Sequence, residues 1–244
     1  MKKLAAFVLI LAMLLPLAAC GSQPDSTAQA SCTPIPLEQV LRYLGCRPSN
    51  APEEVRQLAT RAAEAVQRTA TCRACWCRLP VTISDEHLVW LGSLRFDSRN
   101  LARNLAGCQE AFLFGATIGA GPERLILAGR RLSAADALAA DAAGTAAVEQ
   151  WCDEINARLE ALAAQEKRYL RPRYSAGYGD FSIDAQPELV QLLDLPRKIG
   201  VTVTETKMLL PSKSVTAVVG ISATPANCHA SGCLSCEQAD CPYR

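Results

Sequence analysis

Residues 171–180 read Arg-Pro-Arg-Tyr-Ser-Ala-Gly-Tyr-Gly-Asp and bring together side chains that could hold an extended, charged ligand. Gly177 and Gly179 permit positive φ angles and a close approach of the backbone to such a ligand. Arg173 offers a planar fork of donors that suits a carboxylate. Tyr178 adds an aromatic face, which can pack beside a sulfonium or a macrocycle, together with a hydroxyl. Runs of this composition are also common in ordinary turns, so the interpretation depends on the motifs that follow.

Two further runs follow, the first of them about twenty residues later. Residues 198–206 read Lys-Ile-Gly-Val-Thr-Val-Thr-Glu-Thr, and residues 210–215 read Leu-Pro-Ser-Lys-Ser-Val. In order and spacing, the three runs resemble the activation domain of cobalamin-dependent methionine synthase. That family has an Arg-x-(Ala/Ser)-Pro-Gly-Tyr run, then a Leu-Thr-Glu-Ser strand and a Pro-x-x-Ser-Val turn. The resemblance continues upstream through residues 112–119 and covers roughly residues 35–222.

The resemblance implies a site for S-adenosylmethionine, and a cobalamin that is held by a partner protein. By the same resemblance, Arg173 holds the methionine carboxylate, and Tyr178 lies between this ligand and the corrin as the catalytic residue. Ala176 stands where the family usually has proline, which predicts a less rigid loop. The full set of residues predicted to bind the cofactor is Arg173, Ser175, Ala176, Gly177, Tyr178, Glu205 and Glu149.

Twelve cysteines form the second chemical signal of the sequence. Cys228, Cys233, Cys236 and Cys241 lie within fourteen residues, a spacing that favours tetrahedral zinc or an iron–sulfur cluster. A second group, Cys72, Cys75 and Cys77, lacks a fourth ligand, so free thiols are favoured there. Tight clusters of thiols suit a reducing compartment better than a framework of disulfides.

The N-terminus predicts export, in conflict with the thiols. Two lysines precede an apolar run in residues 1–20, which ends in Leu-Ala-Ala-Cys and resembles a bacterial lipobox. Lipid on Cys20 would anchor the protein to a membrane, and residues 21–34 would then form a flexible tether. The family and the thiol content favour the cytoplasm instead, and the sequence leaves both alternatives open.

Composition and histidine content exclude several other functions. The net charge is +1 and no basic run is interleaved with aromatic residues, which argues against nucleic-acid binding. Only two histidines are present, and His87 follows Asp85 and Glu86 without the glycine of a cobalamin-ligating loop, so we interpret it as a strand-edge residue. No Ser/His/Asp arrangement or His-Glu-x-x-His helix points to hydrolysis.

The pattern of elements predicts an α+β fold, with a twisted antiparallel sheet flanked by helices and a Cys-rich C-terminal tail. Helices are expected over residues 37–44, 52–69, 98–106, 134–167 and 185–193, and strands between 71 and 96 and over 111–118, 201–206 and 215–221. The predicted domains are a signal segment (1–20), a linker (21–34), an activation-like domain (35–222) and the tail (223–244). The glycines near residue 119 lack a Walker lysine or a Rossmann acid, which favours close packing over a phosphate loop.

Three functional hypotheses follow from these observations. The first is reductive remethylation of cobalamin in trans, on a methionine synthase or another corrinoid protein, with electrons from a donor such as a flavodoxin. The second is a surface lipoprotein that captures a corrinoid or another small ligand. The third is an electron-transfer protein that uses metal or an iron–sulfur cluster in its tail.

Overall fold

The structure is a computed structural model that describes residues 26–225. Within that range the chain forms nine strands and seven helices. The strands are β1 (Ser26–Ala30), β2 (Cys72–Ser84), β3 (Leu88–Leu91), β4 (Leu94–Asp97), β5 (Glu110–Thr117), β6 (Tyr169–Leu170), β7 (Thr202–Val203), β8 (Leu209–Leu210) and β9 (Ser214–Ser222). The helices are α1 (Leu37–Tyr43), α2 (Glu53–Thr69), α3 (Arg99–Asn104), α4 (Ala120–Leu132), α5 (Ala134–Gln165), α6 (Gln186–Leu193) and α7 (Leu195–Ile199).

Seven of the strands form one antiparallel sheet, in which six follow the order β4-β3-β2-β5-β9-β6 and β1 pairs with β2. The long strand β2 pairs along one edge with β1 at its start and with β3 at its end, while β5 runs along its other edge. Every residue of β5 from Ala111 to Thr117 is buried. A continuous apolar run of this length is typical of a central strand with both faces covered.

Helices cover both faces of this sheet and create two cores. Side chains of successive residues in a strand point to opposite faces, so Phe112 and Phe114 enter the core beneath α1, α2 and α5. Leu113 enters the opposite core, which is formed with α3, α6 and α7. Burial of each such side chain stabilises the fold by about 1.5–3 kcal/mol. The predicted α+β class is therefore confirmed.

Close packing explains the glycines of residues 115–121, as predicted. A Cβ on Gly121 would lie 1.9 Å from the Thr69 carbonyl oxygen, and one on Gly115 would lie 2.5 Å from a methyl group of Leu195. The long helix α5 begins where the Ser133 hydroxyl accepts a hydrogen bond from the Asp136 N–H (3.2 Å). Its alanines let the sheet and α4 approach closely. Among residues 26–225, no helix is both long and apolar enough to cross a bilayer.

Four expectations about elements are corrected. The described part of the predicted linker contains β1, which pairs with the first half of β2. Helix α4 was not predicted, and neither was α7. The predicted strand over residues 201–206 is reduced to Thr202–Val203, because residues 204–207 form a turn toward β8. His87 lies in the turn between β2 and β3 and not on a strand edge.

Candidate functional site

The run at residues 171–180 leaves the sheet as a continuation of β6. Arg171 donates its backbone N–H to the Gly220 carbonyl oxygen at 2.8 Å, and Tyr174 exchanges two backbone hydrogen bonds with Val218 at 2.9 and 2.8 Å. The segment is thus fixed to β9 as far as Tyr174. The loop that follows is positioned by the rigid sheet below it, as binding loops commonly are.

Two glycines shape this loop. Gly177 has φ +94° and donates its N–H to the Phe181 carbonyl oxygen at 2.7 Å. Gly179 has φ +55°, and a Cβ there would lie 2.4 Å from Asn100 Nδ2 and 2.6 Å from the Tyr174 hydroxyl. Both glycines are therefore required by backbone conformation, and the second also by a close approach.

Asp180 ties the loop to the start of α3. Its carboxylate accepts hydrogen bonds from the Ser98 hydroxyl (2.5 Å) and from the backbone N–H groups of Arg99 (2.9 Å) and Asn100 (3.1 Å). These donors, the Ser98 hydroxyl above all, lower the pKa of Asp180 below its usual value. A negative charge at this helix start is also favourable to the helix dipole. No sequence pattern indicates this role, because Ser98 and Asp180 are 82 residues apart.

The loop forms one wall of a cleft of about 500 Å³. Helix α5 forms the second wall, and the β7–β8 hairpin with the start of β9 forms the third. Of the residues predicted to bind the cofactor, Glu149, Arg173, Ser175, Ala176 and Tyr178 line this cleft. Tyr178 lies at the rim with 66% of its surface exposed, where it could contact a partner as well as a ligand.

Arg173 is the main charged group of the cleft. Its Nη2 atom is 3.3 Å from Glu149 Oε2 and 2.9 Å from Asp153 Oδ1. Its Nη1 atom is buried and has no hydrogen-bond partner among residues 26–225. Glu149 and Asp153 lie one turn apart on α5, and the sequence favoured two solvated acids there. The exposure of their side chains, 39% and 69%, agrees with that interpretation, and the structure adds that both acids bind Arg173.

The third sequence run, residues 210–215, is held in position by side chains from α4, β5 and α5. Glu123 of α4 accepts hydrogen bonds from the backbone N–H (2.6 Å) and hydroxyl (2.7 Å) of Ser212. The Ser214 hydroxyl bonds to the hydroxyl of Thr117 on β5 (2.8 Å). Lys213 forms an ion pair with Asp141 of α5 at 2.9 Å. The turn that closes the cleft is therefore fixed in position.

A family model described as the activation domain of vitamin B12 dependent methionine synthase matches residues 128–240. This match includes all residues from Glu149 to Glu205 that were predicted to bind the cofactor. The chain resembles this activation domain, as its sequence motifs predicted. The match covers slightly less than half of the chain and continues past the described residues.

The similarity of the folds also relates this chain to the activation domain. It is similar to the crystal structure of the MetH reactivation domain bound to AdoHcy, with a TM-score of 0.58 over 80% of this chain and 78% of that chain. The two sequences are 13% identical, so this likeness establishes the activation-domain fold and no more. No curated protein matches the chain by sequence.

Two of the residues that were predicted to bind the cofactor do not line the cleft. Gly177 shapes the loop without lining the cleft, and Glu205 is exposed in the turn between β7 and β8 and not on a strand. Its neighbours Lys207 and Met208 line the cleft instead. A hairpin turn reverses the chain between these positions, so the strand pattern could not show which side chains face the cleft.

Sequence reasoning also missed two uncharged groups in the walls of the cleft. Gln186 is buried, and its Oε1 accepts a hydrogen bond from the Thr216 hydroxyl at 2.9 Å. Cys152 on α5 is buried beneath Arg173, and burial raises the pKa of its thiol to about 12. The thiol is therefore protonated at neutral pH and does not supply a nucleophile.

Of the two predictions about cysteine clusters, the structure tests the one on Cys72, Cys75 and Cys77 and leaves the one on the C-terminal cysteines untested. Cys72 faces one core of the sheet, while Cys75 and Cys77 face the other, so these three thiols do not converge. In the part of the chain that the structure describes, no group of three or more His, Cys, Asp or Glu side chains is placed to hold a metal ion. The predicted ligands Cys228, Cys233, Cys236 and Cys241 lie outside the described residues, as does the lipobox at Cys20.

Proposed function

We propose that the cleft binds S-adenosylmethionine, and that the chain supports reductive remethylation of a cobalamin carried by a separate corrinoid protein. The observation that carries this proposal is the convergence of the first and third sequence runs on one cleft around Arg173. The match to the activation-domain family supports it, and so does a structural neighbour that was crystallised with AdoHcy, the demethylated form of this ligand.

The size of the cleft fits the ligand. A volume of about 500 Å³ falls in the range of roughly 300–1,000 Å³ that is usual for small-molecule and cofactor sites. The walls combine apolar groups such as Leu209 and Val215 with a few fixed polar groups, among them Gln186 and Thr216. Such a combination orients a ligand without burying many unpaired polar atoms.

The charges of the cleft fit the amino-acid end of S-adenosylmethionine. Arg173 has an unpaired Nη1 that can donate to the ligand carboxylate. Glu149 lines the cleft beside Arg173, so its carboxylate can bind the ligand ammonium. The ring of Tyr178, at the rim, can face the sulfonium, because an aromatic face attracts a cation.

The protein groups in this proposal bind and orient the ligand and do not react. When bound, S-adenosylmethionine supplies a methyl cation to cobalt that an external donor, such as a flavodoxin, has reduced by one electron. The rate enhancement comes from holding the reacting methyl group at the correct distance. Tyr178 would position it, since this ring stands where the cleft opens toward a partner.

Calorimetry with S-adenosylmethionine and AdoHcy tests the proposal. Arg173→Ala is expected to weaken binding ten- to a hundredfold, because loss of a hydrogen bond between charged groups costs about 1.5–3 kcal/mol. Arg173→Lys keeps the charge but loses the planar fork, so its affinity should lie between those of the alanine variant and the wild type. Arg197→Ala serves as the matched control, because Arg197 is also ion-paired but lies outside the cleft.

Absence of binding by the wild-type protein, both alone and with a cobalamin protein present, would refute the proposed function. Normal binding by Arg173→Ala would refute only the role of that residue.

We also propose surface capture of a corrinoid as a second candidate function, because residues 1–20 resemble a lipoprotein signal. In this case the cleft would bind its ligand and no methyl transfer would follow. Mass spectrometry of the mature N-terminus from native cells distinguishes the two, since a lipidated Cys20 is incompatible with a cytoplasmic partner.

A further inference from the structure

The segment that follows β1 is fixed against two helices. The Thr33 hydroxyl donates to Glu154 Oε1 at 2.8 Å and accepts a hydrogen bond from Gln150 Nε2 at 2.6 Å. The same amide of Gln150 donates to the Pro34 carbonyl oxygen at 3.2 Å. These contacts with α5, together with one from Gln67 of α2 to the Cys32 carbonyl oxygen, determine where Cys32 lies.

Strand register brings Cys32 next to Cys72. Ala30 of β1 lies directly opposite Cys72 of β2, and Cys32 is two residues beyond Ala30. Because side chains alternate along a strand, residues two apart share a face and lie diagonally across the ladder. Both cysteines pack on the core between the sheet and α5, and the ionisation of each thiol is sensitive to the other.

We propose that Cys32 and Cys72 form a disulfide that fastens the N-terminal segment of the chain to β2. The register of β1 on β2 and the shared core place the two residues on the same face of the sheet, so the bond requires no rearrangement of the sheet. The bond would close a loop that contains α1 and α2. It goes beyond the proposed ligand-binding function and involves no residue of the cleft.

The two thiols differ in the way that thiol–disulfide exchange requires. Cys32 is partly exposed, and the hydrogen bond from Cys72 lowers its pKa. Cys72 is buried, and donation of that hydrogen bond, with burial, raises its pKa. Glu154 is the ionisable side chain that acts on both thiols, and its negative charge raises both pKa values. Cys32 is therefore the accessible nucleophile, and Cys72 the resolving thiol.

The oxidant in this reaction is a second disulfide, such as glutathione disulfide or a disulfide oxidoreductase. The Cys32 thiolate attacks one sulfur of that disulfide and releases the other as a thiolate. The Cys72 sulfur, after passing its proton to the released thiolate, attacks Cys32 and displaces the second thiolate, which takes up the proton that Cys32 lost when it ionised. Two electrons and two protons pass from the cysteines to the oxidant, which leaves as two thiols.

Peptide mapping tests the bond in the full-length protein. The protein is equilibrated with glutathione disulfide, its free thiols are alkylated, and it is digested with trypsin without reduction. Cys72 is the only cysteine in the tryptic peptide 69–73, which separates it from Cys75 and Cys77. We expect this peptide to be linked to peptide 4–42, and tandem mass spectrometry should assign the bond to Cys32 and not to Cys20.

Variants and melting temperature provide the controls. Cys32→Ser, at a partly exposed position, should fold normally, lose the linked peptide and leave Cys72 unlinked. Cys46→Ser, also partly exposed, should retain the link. Oxidation should raise the melting temperature of the wild type by about 5–10 °C and leave that of Cys32→Ser unchanged. The proposal is overturned if Cys72 remains fully reactive toward the alkylating agent in unfolded, oxidant-treated wild type, or is linked to any other cysteine.

Discussion

Gly179 offers the sharpest test of how the cleft loop is built. Replacement by alanine keeps the backbone at φ +55°, in the left-handed region that L-residues disfavour. It also places a methyl group 2.6 Å from the hydroxyl of Tyr174 and 2.4 Å from Asn100 Nδ2. The Asn100 amide can rotate away. Tyr174 has less freedom, because its ring stacks on Phe181 with centroids 6.3 Å apart.

The expected cost of Gly179→Ala is the sum of two effects. The left-handed backbone costs about 1–2 kcal/mol for a residue with a Cβ. Movement of Tyr174 breaks the hydrogen bond from its hydroxyl to the Tyr178 carbonyl oxygen (3.2 Å), which costs about 0.5–1.5 kcal/mol. We therefore expect the free energy of unfolding to fall by about 1.5–3.5 kcal/mol.

Gly107→Ala is the matched control for this experiment. Gly107 has φ +77°, and a Cβ there would have no atom within 4 Å, so only the backbone cost of about 1–2 kcal/mol applies. Urea denaturation measures both variants, and calorimetry measures their affinity for S-adenosylmethionine. Gly179→Ala should also bind more weakly, because movement of Tyr174 displaces a residue that lines the cleft, while Gly107→Ala should bind normally. Equal stability and equal affinity of the two variants would refute the argument that Tyr174 fixes the loop.

Three further predictions concern the loop and the tail. Asp180→Asn should lower the melting temperature at pH 7, and the difference from wild type should vanish in acid. The lowered pKa of Asp180 stabilises the fold above the unfolded value of about 4, and this stabilisation is lost as pH falls through the folded pKa. Tyr178→Ala should slow methylation of cobalt(II) cobalamin on a partner on the order of a hundredfold while ligand binding persists, because a small misplacement of the methyl group is costly. Tyr169→Ala, at an exposed tyrosine outside the cleft, should leave the rate unchanged. Anaerobically purified protein should carry zinc or iron, and Cys233→Ser with Cys236→Ser should remove it without loss of S-adenosylmethionine binding; metal-free wild type would contradict this.

The local sequence was sufficient to predict those elements whose own residues show a clear apolar pattern or a capping residue. Residues 111–118 form a continuous apolar run with β-formers, which indicates a buried strand wherever it lies in a sheet. Helix α5 is rich in alanine and begins at a serine, so its start and type are determined within a few residues. The loop at residues 171–180 was found for the same reason, because its glycines, arginine and tyrosine are adjacent in sequence.

Tertiary structure decided the features that depend on distant partners. Strand β1 is short and polar enough to pass for a linker, and it becomes a strand only because the first half of β2 has a free edge beside it. Glu149 and Asp153 look like solvated acids until Arg173, from a loop beyond the end of α5, reaches them. The hairpin between β7 and β8 turns Glu205 outward and places Met208 at the cleft.

The sequence by itself determined the fold class, the helices and strands with strong periodicity, and the residue types that a cleft for a zwitterionic ligand needs. Only the tertiary structure decided which of those residues share the cleft and which ions they pair with. Only the tertiary structure, again, placed Cys32 beside Cys72. The physical reason is that propensity and periodicity act over a few residues, whereas pairing of strands, ions and thiols depends on positions that the packed cores bring together from far along the chain.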